Sequence, residues 1–108
     1  MSNDLPTLRR ISELTGILTV ATKHVHLVRF ADRWPLECAE LRKLAGELRK
    51  FGPDHARLGY RLNAVIDALH ECYAQPTRKR LEMLSKSFRK FEKAARGLQE
   101  RRLNANGV

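Results

Sequence analysis

Leu8, Ile11, Leu14, Leu18, Ala21, Val25 and Val28 recur at steps of three and four residues. That spacing lines up side chains on one face of an α-helix. Asp4 is a suitable cap ahead of it, and Pro6 suits a first turn, where its missing N–H costs nothing. A second apolar stripe, Ile17, Val20, Leu27 and Trp34, runs along another side. A helix apolar on two faces is expected to sit centrally in its bundle or to be shared with a second subunit. The segment Ile17 to Phe30 is also rich in β-branched residues and would suit two strands. However, Lys23-His24 is a poor hairpin turn, and the apolar spacing favours helix.

The next three segments are marked off by prolines. Asp32-Arg33-Trp34-Pro35 is a break, and Pro35 can open a second helix. Cys38, Leu41, Leu44, Ala45, Leu48 and Phe51 give it an inward stripe that stops at Gly52-Pro53, where glycine is expected to supply a left-handed cap. Asp54 is expected to cap a third helix, with Leu58, Leu62, Val65, Ile66, Leu69, Cys72 and Tyr73 on its buried face. Gln75-Pro76-Thr77 separates it from a fourth, on which Leu81, Leu84, Phe88, Phe91, Ala95 and Leu98 follow a 3-4-3-4-3 spacing. The pattern predicts an all-α, antiparallel four-helix bundle with helices over about 7–31, 36–51, 54–74 and 77–103. No repeat or linker divides residues 1–108, which read as a single helical domain with a tail expected to be mobile from about residue 104.

Charge changes this picture at one place. The chain carries a net +9, and the stretch from Pro76 to Val108 holds ten Lys/Arg against three Asp/Glu, or +7 of that total. Lys79, Lys86, Arg89, Lys90, Lys93 and Arg96 fall within about a third of the fourth helix's circumference, opposite its apolar stripe. Neighbours three or four residues apart on a helix stand about 5–6 Å from one another, a spacing suited to successive phosphates. Arg78 and Arg80 extend the ridge at one end and Arg101 and Arg102 at the other; Glu82, Glu92 and Glu100 dilute it. Glu82 is expected to pair with Arg78 or Lys86, and Glu92 with Arg96. The ridge is thus a candidate nucleic-acid or anion-binding face. The competing reading makes it a solubilising surface and gives the function to helix 1. Ile17, Val20, Leu27 and Trp34 are expected to form a homodimer interface in either case; in the competing reading this apolar face serves a protein adaptor or regulator.

Other chemistry finds little support. His24 and His26 are two apart, so on a helix they point about 200° from each other and cannot share an ion. No Cys-x2-Cys or His-x3-His spacing occurs, and no metal or other cofactor is expected. Ser2, Ser12, Ser85 and Ser87 lie in no strained nucleophile turn. Glu37, Glu40 and Glu47 alternate with Arg42, Lys43, Arg49 and Lys50 as on a solvated surface. The expectation is a binding module with no catalytic activity of its own and no small-molecule substrate. Two cysteines, Cys38 and Cys72, are too few for a disulfide scaffold, and a bridge between them is disfavoured. With no visible signal peptide and no apolar run of membrane-spanning length, a reduced, cytoplasmic setting is expected.

Overall fold

A computed structural model describes residues 4–23, 34–75 and 77–106; the side chains of residues 18–23, 34–35, 73 and 102–106 fall outside that description. Four α-helices follow one another: α1 (Leu5–Lys23), α2 (Trp34–Leu48), α3 (Pro53–Ala74) and α4 (Arg78–Asn106). They pack against each other, with no strand among the described residues, so the helical bundle expected from the apolar spacing is borne out. Residues 17–23 are helical, which removes the first half of the alternative hairpin; the expected continuation over 24–31 lies outside the described residues.

The boundaries shift by small amounts with clear causes. α2 begins at Trp34, and its last turn, Arg49–Phe51, tightens into a 3₁₀ turn. Gly52 follows with φ 120° and ψ 179°, an extended positive-φ conformation rather than the left-handed helical cap expected; only glycine adopts it readily. α3 then starts at Pro53, with Gly52 in the cap position and its carbonyl accepting from the Ala56 N–H at 2.9 Å. Asp54 is therefore not the cap but an acid in the first turn, where it favours the positive end of the helix dipole. Thr77 caps α4 through Oγ1, which accepts from the Arg80 N–H at 3.2 Å. At the other end α4 continues to Asn106, past the point where fraying was expected.

α3 holds the centre, lying along both α2 and α4, whereas the described part of α1 packs mainly on α2. Residues 24–31, the apolar second half of helix 1, lie outside the described residues; among those described, the central helix is α3 and not α1. The reason lies in α3's face: Leu58, Leu62, Val65, Ile66, Leu69 and Cys72 are all essentially sealed from solvent. Gly59 lets that face approach α2 closely, since a Cβ built there would stand 2.6 Å from the Ala45 carbonyl oxygen. Leu41, Ala45 and Leu48 from α2, Leu84, Phe88, Phe91 and Leu98 from α4, and Ile11 and Leu14 from α1 complete the core. Phe88 and Phe91 meet edge to face, with centroids 6.2 Å apart.

Polar contacts fix the helix ends. Arg101 near the end of α4 pairs with Asp54 at the start of α3 at 3.2 Å. Arg80 at the start of α4 reaches back to the Glu71 and Gln75 carbonyls at 2.9 and 3.3 Å, a second bond for acceptors that already take the Gln75 and Thr77 N–H groups. Arg42 of α2 bonds Asn63 and Asp67 of α3, and Arg10 of α1 grips the Glu40 carboxylate of α2 with both Nε and a terminal nitrogen. That bidentate grip holds the Glu40 carboxyl below the usual carboxylate range. Asp4, just ahead of α1, is buried, and its Oδ2 lies 2.7 Å from His55 Nε2 on α3. The His55 ring in turn lies against Phe51.

Candidate functional site

The roll of α4 about its axis is set by what it buries. Leu84, Phe88, Phe91 and Leu98 face α3 and the core, with Ala95 half-buried between them. Leu81 departs from the expected stripe. It is 38% exposed, because it sits on the flank of the buried face in the first turn, beside half-exposed Met83. With the apolar side turned inward, the opposite face is left to solvent. Lys79, Lys86, Arg89, Lys90, Lys93 and Arg96 are all exposed. From Lys79 to Arg96 the ridge runs about 26 Å along the helix, at 1.5 Å per residue.

The arginines at the two ends of the ridge are engaged elsewhere. Arg78 pairs with Glu82 at 3.5 Å, Arg80 closes the end of α3, and Arg101 joins Asp54. Arg80 and Arg101 thereby tie α4 to α3, whereas the Arg78 pair lies within α4 and the Arg102 side chain lies outside the described residues. Arg89 Nε donates to the Ser85 carbonyl at 3.5 Å, a contact that leaves its charge uncompensated. Lys79, Lys86, Arg89, Lys90, Lys93 and Arg96 form no ion pair among the described residues, and the expected Glu92–Arg96 bridge is not made. The result is a row of cations with little internal neutralisation, apart from Glu82 and Glu100 on the same side. Near its start, Arg78, Lys79, Lys86 and Arg89 share an open stretch of the α4 surface with Glu82.

Aromatic groups do not accompany the ridge among the described side chains. Phe88 and Phe91 are buried beneath it. Tyr60 is 70% exposed but belongs to α3, where the Arg61 guanidinium lies 5.9 Å from its ring centre. The face can therefore hold phosphates by charge but offers no platform for base stacking.

The second candidate, the apolar stripe of α1, is represented by one described side chain. Ile17 is 42% exposed. The side chains of Val20 and Trp34, and Leu27 altogether, lie outside the described residues, as do His24 and His26. Among the described residues no group of three or more His, Cys, Asp or Glu side chains could hold a metal, and no helix is long and apolar enough to cross a membrane. Cys38 and Cys72 are buried free thiols. Burial pushes Cys38 up to about 12, aided by nearby Glu37 and opposed by Arg42, and it also raises Cys72.

Two features had no signal in the spacing. The Asp4–His55 pair joins residues far apart in sequence, and Asp4 read only as a cap. An apolar cleft between α1 and α4, lined partly by Leu58 of α3, arises from how the helices are placed. The chain matches no family model, no curated protein and no solved structure.

Proposed function

We propose that this protein is a binding module that docks a polyanion, with nucleic acid the partner class, along α4. Lys79, Lys86, Arg89, Lys90, Lys93 and Arg96 contact phosphates. The observation that supports this reading is their shared exposure on one helix face without ion-pair partners among the described residues. Ion-paired cations would have to break existing contacts before binding; these do not. With Phe88 and Phe91 turned inward, affinity comes from charge, and sequence preference is small.

The rival reading, an adaptor or homodimer acting through the apolar side of α1, rests on Ile17 alone among described side chains. The two differ in their response to salt. Engagement of four or five cations gives a log–log slope of affinity against salt of about −3 to −4.5, whereas apolar docking is nearly insensitive. Fluorescent duplex and single-stranded DNA and RNA are titrated at low and moderate salt, with the native protein and with Arg89→Glu, Lys93→Glu and Arg96→Glu combined. Steep salt dependence and loss of binding in the triple variant are expected. Absence of binding at low salt, or binding that the variant retains, refutes the ridge as a docking face.

A further inference from the structure

Because the described part of α1 packs mainly on α2, its seam with α4 stays partly open. The opening is a cleft of about 500 Å³, within the range that holds small organic ligands between helices. Its floor is apolar and closed to solvent, with Ile11, Leu58, Phe91 and Leu98 each 5% exposed or less, and the apolar surface it opens begins with Leu5, 51% exposed. Half-buried Leu8 and Ala95 continue the apolar surface toward the mouth. The rim is polar, with Ser12 and Thr15 on α1 and Gln99 on α4.

One charged residue lines the cleft among those described, Arg9 at the outer edge of α1. It is exposed and makes no ion pair among the described residues. No carboxylate lines the described wall to oppose an anion there. An apolar trough ending in a single unpaired cation suits a ligand with a hydrocarbon chain and an anionic head. We propose that this cleft binds a free acyl-chain carboxylate, its chain lying against Leu5, Leu8 and Ala95 and its head at Arg9. The site is separate from the basic ridge, which lies on the opposite side of α4 from Phe91 and Leu98.

The test uses decanoate as the probe, followed by amide chemical shifts of the full chain. Two controls divide its chemistry: butanoate keeps the head without the chain, and decyltrimethylammonium keeps the chain with the opposite charge. Saturable shifts at Leu8, Ser12, Leu58 and Leu98 are expected with decanoate, with both controls weaker by about tenfold or more. Arg9→Gln is expected to weaken decanoate by about three- to tenfold. Ser12→Trp, at an exposed position, is expected to close the cleft and abolish binding while keeping the native far-UV circular dichroism and urea midpoint. The Arg89→Glu, Lys93→Glu, Arg96→Glu variant is expected to bind decanoate as the native protein does, so failure of the ridge reading leaves this one standing. Shifts confined to the ridge, equal binding by the cation, indifference to Ser12→Trp, or no saturable shift at millimolar decanoate would each overturn the proposal.

Discussion

Gly59→Ala and Gly46→Ala make the same chemical change in two neighbouring helices, and the structure gives them opposite signs. In a helix interior, alanine is favoured over glycine by about 0.8–1 kcal/mol, mainly through backbone entropy. At Gly46, on the exposed side of α2, a Cβ meets nothing within 4 Å, so Gly46→Ala is expected to stabilise by about 0.5–1 kcal/mol. At Gly59 the Cβ would lie 2.6 Å from the Ala45 carbonyl oxygen. Ordinary contact begins at 3.4 Å, so α2 and α3 must part locally by about 0.8 Å. The atom in the way is backbone, which has no rotamer to yield. Separation also loosens Leu41, Leu48, Leu62, Val65 and Ile66, all at 0% exposure. Overpacking of this kind costs about 1–3 kcal/mol. After the helix-propensity gain of about 0.8–1 kcal/mol, Gly59→Ala is expected to destabilise by about 1 kcal/mol, within a range of about 0–2 kcal/mol. Urea unfolding followed by far-UV circular dichroism measures both, and thermal midpoints should separate by about 4 °C or more. A Gly59→Ala protein as stable as its Gly46→Ala counterpart would refute the close approach of α2 to α3.

The part-buried Asp4–His55 pair ties the start of α1 to the start of α3, so Asp4→Ala and His55→Ala are each expected to cost about 0.5–1.5 kcal/mol through loss of that bond. The double variant should cost less than the sum, and strict additivity in urea unfolding would show the pair uncoupled. Cys38 and Cys72 should react slowly with a thiol reagent at mildly alkaline pH in the native state and rapidly in urea; fast native labelling of both would contradict their burial. Both thiols have folded pKa values above the unfolded one, so their contribution to stability is complete below the ordinary thiol value of about 9. For Cys38 it is lost as pH rises from there toward about 12. A Cys38→Ala, Cys72→Ala variant should therefore show a shallower alkaline loss of stability than the native protein, and parallel curves would refute this.

Four elements and their inward faces were legible in the chain because each apolar stripe keeps helical spacing and each break carries a proline. The same spacing placed the six ridge cations on one side of α4, since a helix that buries Leu84, Phe88, Phe91 and Leu98 must expose what lies opposite. Periodicity is a property of one helix at a time, however, and carries nothing about which helix lies beside which. That is why nothing in the spacing marked α3 as the helix that lies along both α2 and α4. It is also why Gly46 and Gly59 look alike in sequence, though only Gly59 faces another backbone. The division of the arginines on α4 was hidden for the same reason. Arg80 and Arg101 are committed because the end and start of α3 happen to reach them, while Lys86 and Lys93 are exposed and unpaired among the described residues. The Asp4–His55 pair and the cleft between α1 and α4 belong wholly to tertiary placement, because each is made by residues that only packing brings together. Local pattern determines what a helix turns inward; the distances between helices decide which polar groups are engaged and where surface is left open.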